Sequence, residues 1–152
     1  SLRECIEYVL EEYEYLLTEN GISIAKDLKI KEIFTDRKNL EFILSQAVSN
    51  SIQYRKEEKG QIIFSSYENG EKLCLCIEDN GKGVSEVDLP FVFEKGFIGS
   101  NGQKNKKSTG IGLYLVKKLA ENMKIVCSAK NREAGGFRLI IEFPKVEKEE
   151  IV

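Results

Sequence analysis

The segment Asp79-Asn80-Gly81-Lys82-Gly83 places a carboxylate directly before two closely spaced glycines. Glycines at alternate positions let the backbone approach a flat ligand and permit positive φ angles. The Asp79 carboxylate can accept a hydrogen bond from an exocyclic amine, a group that adenine carries where guanine presents an acceptor. The segment therefore indicates an adenine site, although Asp-Asn-Gly also fits a plain turn after a strand.

A second glycine pair lies in the segment Ser108-Thr109-Gly110-Ile111-Gly112-Leu113, directly before a stretch with helical periodicity. Free backbone N–H groups at the start of a helix, with no side chains in the way, form an anion site. A tight junction between loop and helix accounts for the same residues. The segment is neither a P-loop nor a dinucleotide fingerprint, because Lys106 and Leu115 stand where those motifs require glycine.

Three uncharged amides, Gln46, Asn50 and Gln53, follow one another along a predicted helix from about Arg37 to Arg55. Their spacing puts them on adjacent turns, beside the apolar face of that helix. That face comprises Leu40, Ile43, Leu44, Ala47, Val48 and Ser51. An Asn carbonyl oxygen is a suitable hard ligand for magnesium, so this row can form a ligand wall. Amides that face solvent or cap a neighbouring loop are the alternative.

Residues 96–110 are rich in Gly, Asn, Ser and Lys and have no periodicity, which predicts a long loop. Lys95, with Lys104, Lys106 and Lys107, can offset the charge of a triphosphate. A solvated, mobile basic loop has the same composition, and both interpretations stay open.

The elements that must position these residues follow from periodicity and turn signals. We predict three helices: one from Leu2 to the Asn20-Gly21 exit, the second helix given above, and a third whose apolar face holds Leu115, Val116, Leu119, Ala120 and Met123. The predicted strands are Ile22–Leu28, Lys31–Phe34, Gln61–Tyr67, Leu73–Glu78, Ile125–Ala129 and Phe137–Phe143, with turns at Asn69-Gly70 and Gly135-Gly136. This order predicts an α+β fold, a two-layer α/β sandwich with a mixed sheet of about five strands covered on one face by three helices.

Composition excludes several classes of function. The 152 residues fit one domain, and a net charge of −2 argues against a nucleic-acid partner. The chain has no His, which excludes Ser-His-Asp and Cys-His catalysis by this chain alone. Its four Cys lack metal-ligand spacing and are expected to be small core residues in a reducing compartment.

The order of the motifs resembles the ATP-binding domain of bacterial sensor histidine kinases, the HATPase or Bergerat fold shared with gyrase, Hsp90 and MutL. The segments 46–55, 79–83, 91–97 and 110–113 resemble its N, G1, F and G2 boxes, in that order. The sequences of segments 93–97 and 108–115 are similar to those of intramembrane-sensing kinases that respond to peptide antibiotics such as bacitracin.

The resemblance implies a role for each matching residue. Asn50 would bind Mg²⁺, Asp79 would bind the adenine amine, and Gln46 and Lys95 would stand at catalytic positions, Lys95 near the γ-phosphate. The other implied ATP-binding residues are Tyr54, Gly81, Gly83, Phe93, Gly96, Thr109, Gly110, Ile111, Gly112 and Leu113. Residues 96–109 would be an ATP lid and 145–152 a charged tail.

Four positions depart from the commoner family pattern. Gln46 stands where many relatives have Glu, and an amide cannot accept a proton at neutral pH. Gln53 replaces a frequent phosphate-binding Lys, Ser108 a frequent Gly, and Phe137 a common Thr.

The implied reaction transfers the γ-phosphoryl group of ATP to a histidine outside this chain. That histidine would lie on a dimerisation domain N-terminal to Ser1, and a response regulator would receive the phosphoryl group next. The domain would be a cytoplasmic, monomeric part of a homodimeric bacterial membrane protein. Two alternatives from the same superfamily stay open: an anti-sigma-factor type serine kinase and a non-kinase clamp switched by ATP.

Overall fold

The computed structural model describes residues 1–97 and 112–145. These residues fold into a mixed sheet of five strands with helices packed on one face. This confirms the predicted fold class. The strands are β1 (Ile22–Leu28), β2 (Gly60–Asn69), β3 (Lys72–Asp79), β4 (Val126–Asn131) and β5 (Phe137–Pro144). The α-helices are α1 (Leu2–Glu12), α2 (Glu14–Glu19), α3 (Arg37–Gln53) and α4 (Gly112–Met123), with a short 3₁₀ helix over Leu89–Phe91.

The sheet order is β1-β2-β3-β5-β4, with β1 parallel to β2 and the other neighbours antiparallel. The β2–β3 hairpin turns at Gly70, whose φ of 62° suits glycine. Strand β3 lies at the centre of the sheet and ends at Asp79. Because Glu78 pairs with Arg138 on β5, the start of β5 lies beside Asp79.

Helix α3 brings the amide row to the sheet. Asp36 caps its start by accepting a hydrogen bond from the Asn39 amide at 3.0 Å. The predicted apolar stripe is buried against the sheet and comprises Leu40, Ile43, Leu44, Ala47, Val48 and Ser51. The helix ends at Gln53, two residues before the predicted end, with Tyr54 as its C-terminal cap.

The first helix is broken in two, which corrects the prediction of one continuous helix. Tyr13 leaves helical geometry with φ −105° and ψ 5°, and its hydroxyl lies 2.7 Å from Ser45 Oγ on α3. The break turns Leu16 outward, so that 44% of this residue is exposed. The predicted exit at Asn20-Gly21 is confirmed.

The predicted strand Lys31–Phe34 is wrong, because these residues form no ladder. The preceding Ile30 satisfies its amide and its carbonyl through the hydroxyl of Ser66, at 2.9 and 3.2 Å. The Lys31 carbonyl accepts instead from the Leu2 amide at 2.9 Å. The chain therefore leaves the sheet edge at this point and leads to α3.

The predictions about buried residues on α4 and about the cysteines are confirmed except at Leu115. Val116 and Ala120 are buried on α4 as expected, whereas Leu115 is 41% exposed and does not belong to the core. The four Cys are free and buried, as predicted. Within the described residues no helix is long and apolar enough to cross a membrane. Most of the predicted lid (96–109) and tail (145–152), namely residues 98–109 and 146–152, lies outside the described part of the chain.

Candidate nucleotide site

The Asp79 carboxylate is the centre of the candidate site, and segments from three parts of the chain meet on it. Ser51 Oγ on α3 donates to Oδ2 at 2.8 Å. The amides of Gly81 and Phe137 donate to Oδ1 at 2.9 and 3.3 Å. Asp79 is only 5% exposed, so these donors replace water around most of the carboxylate.

Burial raises the pKa of Asp79 above its ordinary value of 3.8. The hydrogen bonds from Gly81, Ser51 and Phe137 oppose that rise, and so does the charge of Arg132. A carboxylate held by donors on one side in a nearly dry place is a strong and well-oriented acceptor for a further N–H group.

The end of α3 is attached to the loop after Asp79. The Tyr54 carbonyl accepts from the Lys82 amide at 3.0 Å. A Cβ on Gly81 would lie 2.7 Å from that carbonyl oxygen, so only glycine fits there without displacing backbone. The sequence-based expectation is that Gly81 lets the backbone approach a flat ligand. The structure adds a separate reason for glycine here, which is the close contact with the Tyr54 carbonyl.

Two asparagines outside the predicted set hold this loop. Asn131 on β4 accepts from the Val84 amide at 2.9 Å and donates to the Val84 carbonyl. Asn80 accepts from the Gln61 amide at 2.8 Å and donates to the Lys59 carbonyl at 2.9 Å. Gly83, with φ 68°, packs against the Asn131 side chain. Asn80 lies within the Asp79 motif, but nothing local in the sequence marks Asn131.

The turn between β4 and β5 forms the third side of the site. Arg132 donates from Nη1 to the Asp79 carbonyl at 3.1 Å, and its amide donates to the Gly136 carbonyl at 2.9 Å. A Cβ on Gly136 would overlap the backbone of Asp79. The predicted Gly135-Gly136 turn is thus also a packing requirement of the site.

The amide row is half-buried along α3, and its members have different surroundings. Gln46 faces the first residue of α4, Gly112, and Leu113 packs on the hydrophobic core. Asn50 lies one turn before Tyr54. The Nε2 atom of Gln53 is buried without a hydrogen-bond partner among the described residues.

Lys95 is exposed and lies beside α4, with its ammonium 6.0 Å from the centre of the Tyr114 ring. Phe93 is half-buried against the core, and Lys117 lies 5.3 Å from its ring. Gly96 follows with φ 81°. The predicted residues 91–97 are therefore next to the start of α4. Thr109, Gly110 and Ile111 lie outside the described residues.

Comparison with known proteins decides the family. Residues 35–147 match the model of the histidine kinase-, DNA gyrase B-, and HSP90-like ATPases, which is most of the chain. The chain belongs to this ATPase family. The matched range includes α3, Asp79 and the β4–β5 turn, the three parts that meet in the site.

Named relatives of this ATPase domain are sensor kinases. Sensor protein BceS from Bacillus subtilis is 33% identical over 126 residues, covering 83% of this chain and 37% of BceS. Sensor histidine kinase GraS from Staphylococcus haemolyticus is 34% identical over 126 residues, covering 82% of this chain and 36% of GraS. The chain thus spans little more than a third of the length of these relatives.

Solved structures agree on the fold of the ATPase domain. The catalytic domain of histidine kinase ThkA superposes with a TM-score of 0.80 at 24% identity, covering 95% of this chain and 92% of that domain. The mycobacterial sensor histidine kinase MprB gives a TM-score of 0.80 at 18% identity, covering 94% and 95%. Both matches extend over nearly the whole of each chain.

Proposed function

We propose that this chain binds MgATP and donates the γ-phosphoryl group to a histidine on a separate dimerisation domain, in two-component signal transduction. The observation that carries the proposal is the meeting of α3, the 79–83 loop and the start of β5 on Asp79. Family membership and the sensor kinases among the relatives support it.

Each group of the nucleotide has a matching protein group. Asp79 would accept the exocyclic amine of adenine through its remaining acceptor position, with Gly81 and Gly83 allowing the base to approach the backbone. Tyr54, at the end of α3, would pack on the adenine or ribose. The start of α4 at Gly112 and the nearby Lys95 would bind the phosphates.

The amide oxygen of Asn50 fits a magnesium ligand, because Mg²⁺ takes few protein ligands and prefers hard oxygen donors. When bound, the ion would neutralise phosphate charge and orient the triphosphate. Gln46 cannot act as a base at neutral pH and would orient groups near Gly112 instead. A neutral imidazole is already nucleophilic, so positioning and charge neutralisation suffice for the transfer.

The remaining parts of the signalling protein would lie beyond this chain. The acceptor histidine would be on a dimerisation domain N-terminal to Ser1, and a response regulator would receive the phosphoryl group. The parent protein would be a homodimer in a bacterial cell membrane with this domain in the cytoplasm. The sequence of residues 93–97 supports membership of the group of sensor kinases that responds to peptide antibiotics.

Two measurements test the proposal. Calorimetric titration with a non-hydrolysable ATP analogue, with and without Mg²⁺, should give a magnesium-dependent affinity. Labelled ATP, this chain and a supplied dimerisation domain from a related sensor kinase should yield an acid-labile phosphohistidine on that domain, and omission of this chain should abolish the label.

An acid-stable phosphoserine on a protein substrate would instead support the serine-kinase alternative. Binding of the analogue with no transfer to any supplied acceptor domain would support the ATP-switched clamp. Absence of nucleotide binding would contradict all three functions.

A further inference from the structure

Ser51 is a polar residue on the otherwise apolar face of α3, and it is 6% exposed. We infer that Ser51 is a positioning residue for adenine recognition, which it serves by holding Oδ2 of Asp79 toward the base. This inference rests on the proposed function and assigns a role to a residue of the 46–55 segment to which the family resemblance gave none.

The burial of Ser51 requires a hydrogen bond. A hydroxyl on the core face of a helix carries a free-energy penalty unless it finds a partner, and a local partner would be a backbone carbonyl one turn earlier. Ser51 donates instead across the core to Asp79 Oδ2 at 2.8 Å. The hydroxyl therefore connects α3 to the end of β3.

The Asp79 carboxylate has an acceptor position left for a ligand. A carboxylate offers about four lone-pair positions, two on each oxygen. Among the described residues, Gly81 and Phe137 occupy both positions on Oδ1, and Ser51 occupies one position on Oδ2. One position remains on Oδ2, and this is where the exocyclic amine would bind.

Within residues 1–97 and 112–145, Ser51 is the side-chain donor to this carboxylate, since Gly81 and Phe137 contribute only their backbone amides. Without the hydroxyl, Oδ2 would lose the contact that fixes it against α3. The pKa of Asp79, already raised by burial, would rise further, because the Ser51 hydrogen bond lowers it. The charge of Arg132, which binds the Asp79 carbonyl, lowers this pKa, and the ammonium of Lys56 lies beside the neighbouring Gly135 turn.

The affinity for an adenine nucleotide should depend on pH through Asp79. Asp79 accepts the amine best when it is ionised, so affinity for an adenine nucleotide falls as the pH drops through the Asp79 pKa. Removal of Ser51 moves that fall to higher pH.

The test compares Ser51→Ala with Ser49→Ala, a matched control on the same helix whose residue does not contact Asp79. Each variant is titrated with non-hydrolysable ATP and inosine triphosphate analogues; inosine carries an oxygen in place of the exocyclic amine. Ser51→Ala should weaken the ATP analogue about tenfold, the scale of one hydrogen bond to a charged group, and the inosine analogue much less. Ser49→Ala should match the wild type.

Restoring the hydroxyl with Ser51→Thr should recover most of the preference for adenine. Ser51→Cys, a near-isosteric weak donor, gives a second variant in case Ser51→Ala does not fold, and it should lose part of that preference. Equal losses for both analogues, or an unchanged acid limb of the affinity profile, would overturn the positioning role. If the wild type bound the ATP analogue and Ser51→Ala bound it equally well, only this inference would fail; no binding by the wild type would remove the proposed function too.

Discussion

The side-chain oxygen of Gln46 lies where a Cβ on Gly112 would have to go: the two would be 2.6 Å apart. This relationship joins the middle of α3 to the first residue of α4. The obstacle is the end of a flexible side chain, and a Gln side chain can rotate away from a new methyl group.

We therefore predict that Gly112→Ala keeps the fold. Ala is favoured over Gly within helices by about 1 kcal/mol, which offsets the displacement of Gln46 at this helix end. The melting temperature, followed by circular dichroism, should stay within a few degrees of the wild type, with ~4–8 °C expected per kcal/mol in small domains. A large loss of stability that Gln46→Ala rescues would mean that the Gln46 side chain is fixed.

Gly136→Ala should be far more damaging than Gly112→Ala. The new Cβ would overlap the Asp79 backbone, which cannot move without displacing β3, and the φ of 112° is unfavourable for alanine. We expect a loss of roughly 3 kcal/mol or more in the free energy of unfolding, by urea denaturation.

Gly70→Ala is the matched control for that variant. Gly70 also has a positive φ, 62°, but a Cβ there meets open space. Its cost should be limited to the conformational term of about 1–2 kcal/mol. Similar losses for the two variants would show that the contact with Asp79 does not matter.

Asp79→Asn separates binding from stability. The amide oxygen can keep the bonds from Gly81 and Phe137, so the fold should persist. The amide nitrogen, however, is a hydrogen-bond donor, as is the exocyclic amine of adenine, so the two groups could not bond. Affinity for an ATP analogue should fall about 10- to 150-fold, the range for loss of a hydrogen bond to a charged group. Unchanged affinity in calorimetry would contradict the adenine assignment.

The same variant should change how stability depends on pH. Burial raises the pKa of Asp79 above 3.8 in the folded chain, so the folded state holds this proton more tightly than the unfolded state. Stability from this group is complete below pH 3.8 and is lost as the pH rises through the folded pKa.

Asp79→Asn cannot titrate at this position and should gain stability relative to the wild type over that window. Above the window the gain should be constant. Thermal melts of both chains from pH 3.5 to 7, without nucleotide, measure the difference. A lower stability of the variant at neutral pH would mean that the three donors outweigh the burial of the charge.

Local sequence patterns predicted correctly those elements of the site that bury one face in the core. The period of α3 identified Leu44 and Val48 as core residues, and Asn69-Gly70 located the hairpin that ends at Asp79. The strand expected at Lys31–Phe34 failed because the side chain of Ser66, distant in sequence, takes the backbone bonds of Ile30.

The residues of the candidate site also fall into those that the sequence predicts and those that it does not. Asp79 and Gly81 belong to one short segment, and their chemistry could be predicted from it. Ser51 and Arg132 contact Asp79 only because β3 lies between β2 and β5 and α3 packs across it. The sequence does indicate that Ser51 has a hydrogen-bond partner, because its hydroxyl lies on the same face as Leu44, Ala47 and Val48. That partner could not be identified without the sheet order.

Asn50→Ala tests the proposed magnesium role. The amide oxygen would be one of few protein ligands to the ion, so its loss should weaken the ATP analogue about tenfold with Mg²⁺ present, comparable to one hydrogen bond to a charged group, and little without it. Asn122→Ala, the same change at an exposed position of α4, is the control and should match the wild type. Calorimetry with a magnesium series, and with EDTA for the metal-free limit, gives both affinities. Equal losses with and without the metal would assign Asn50 to the nucleotide itself and leave the ion to be held by phosphate oxygens and water.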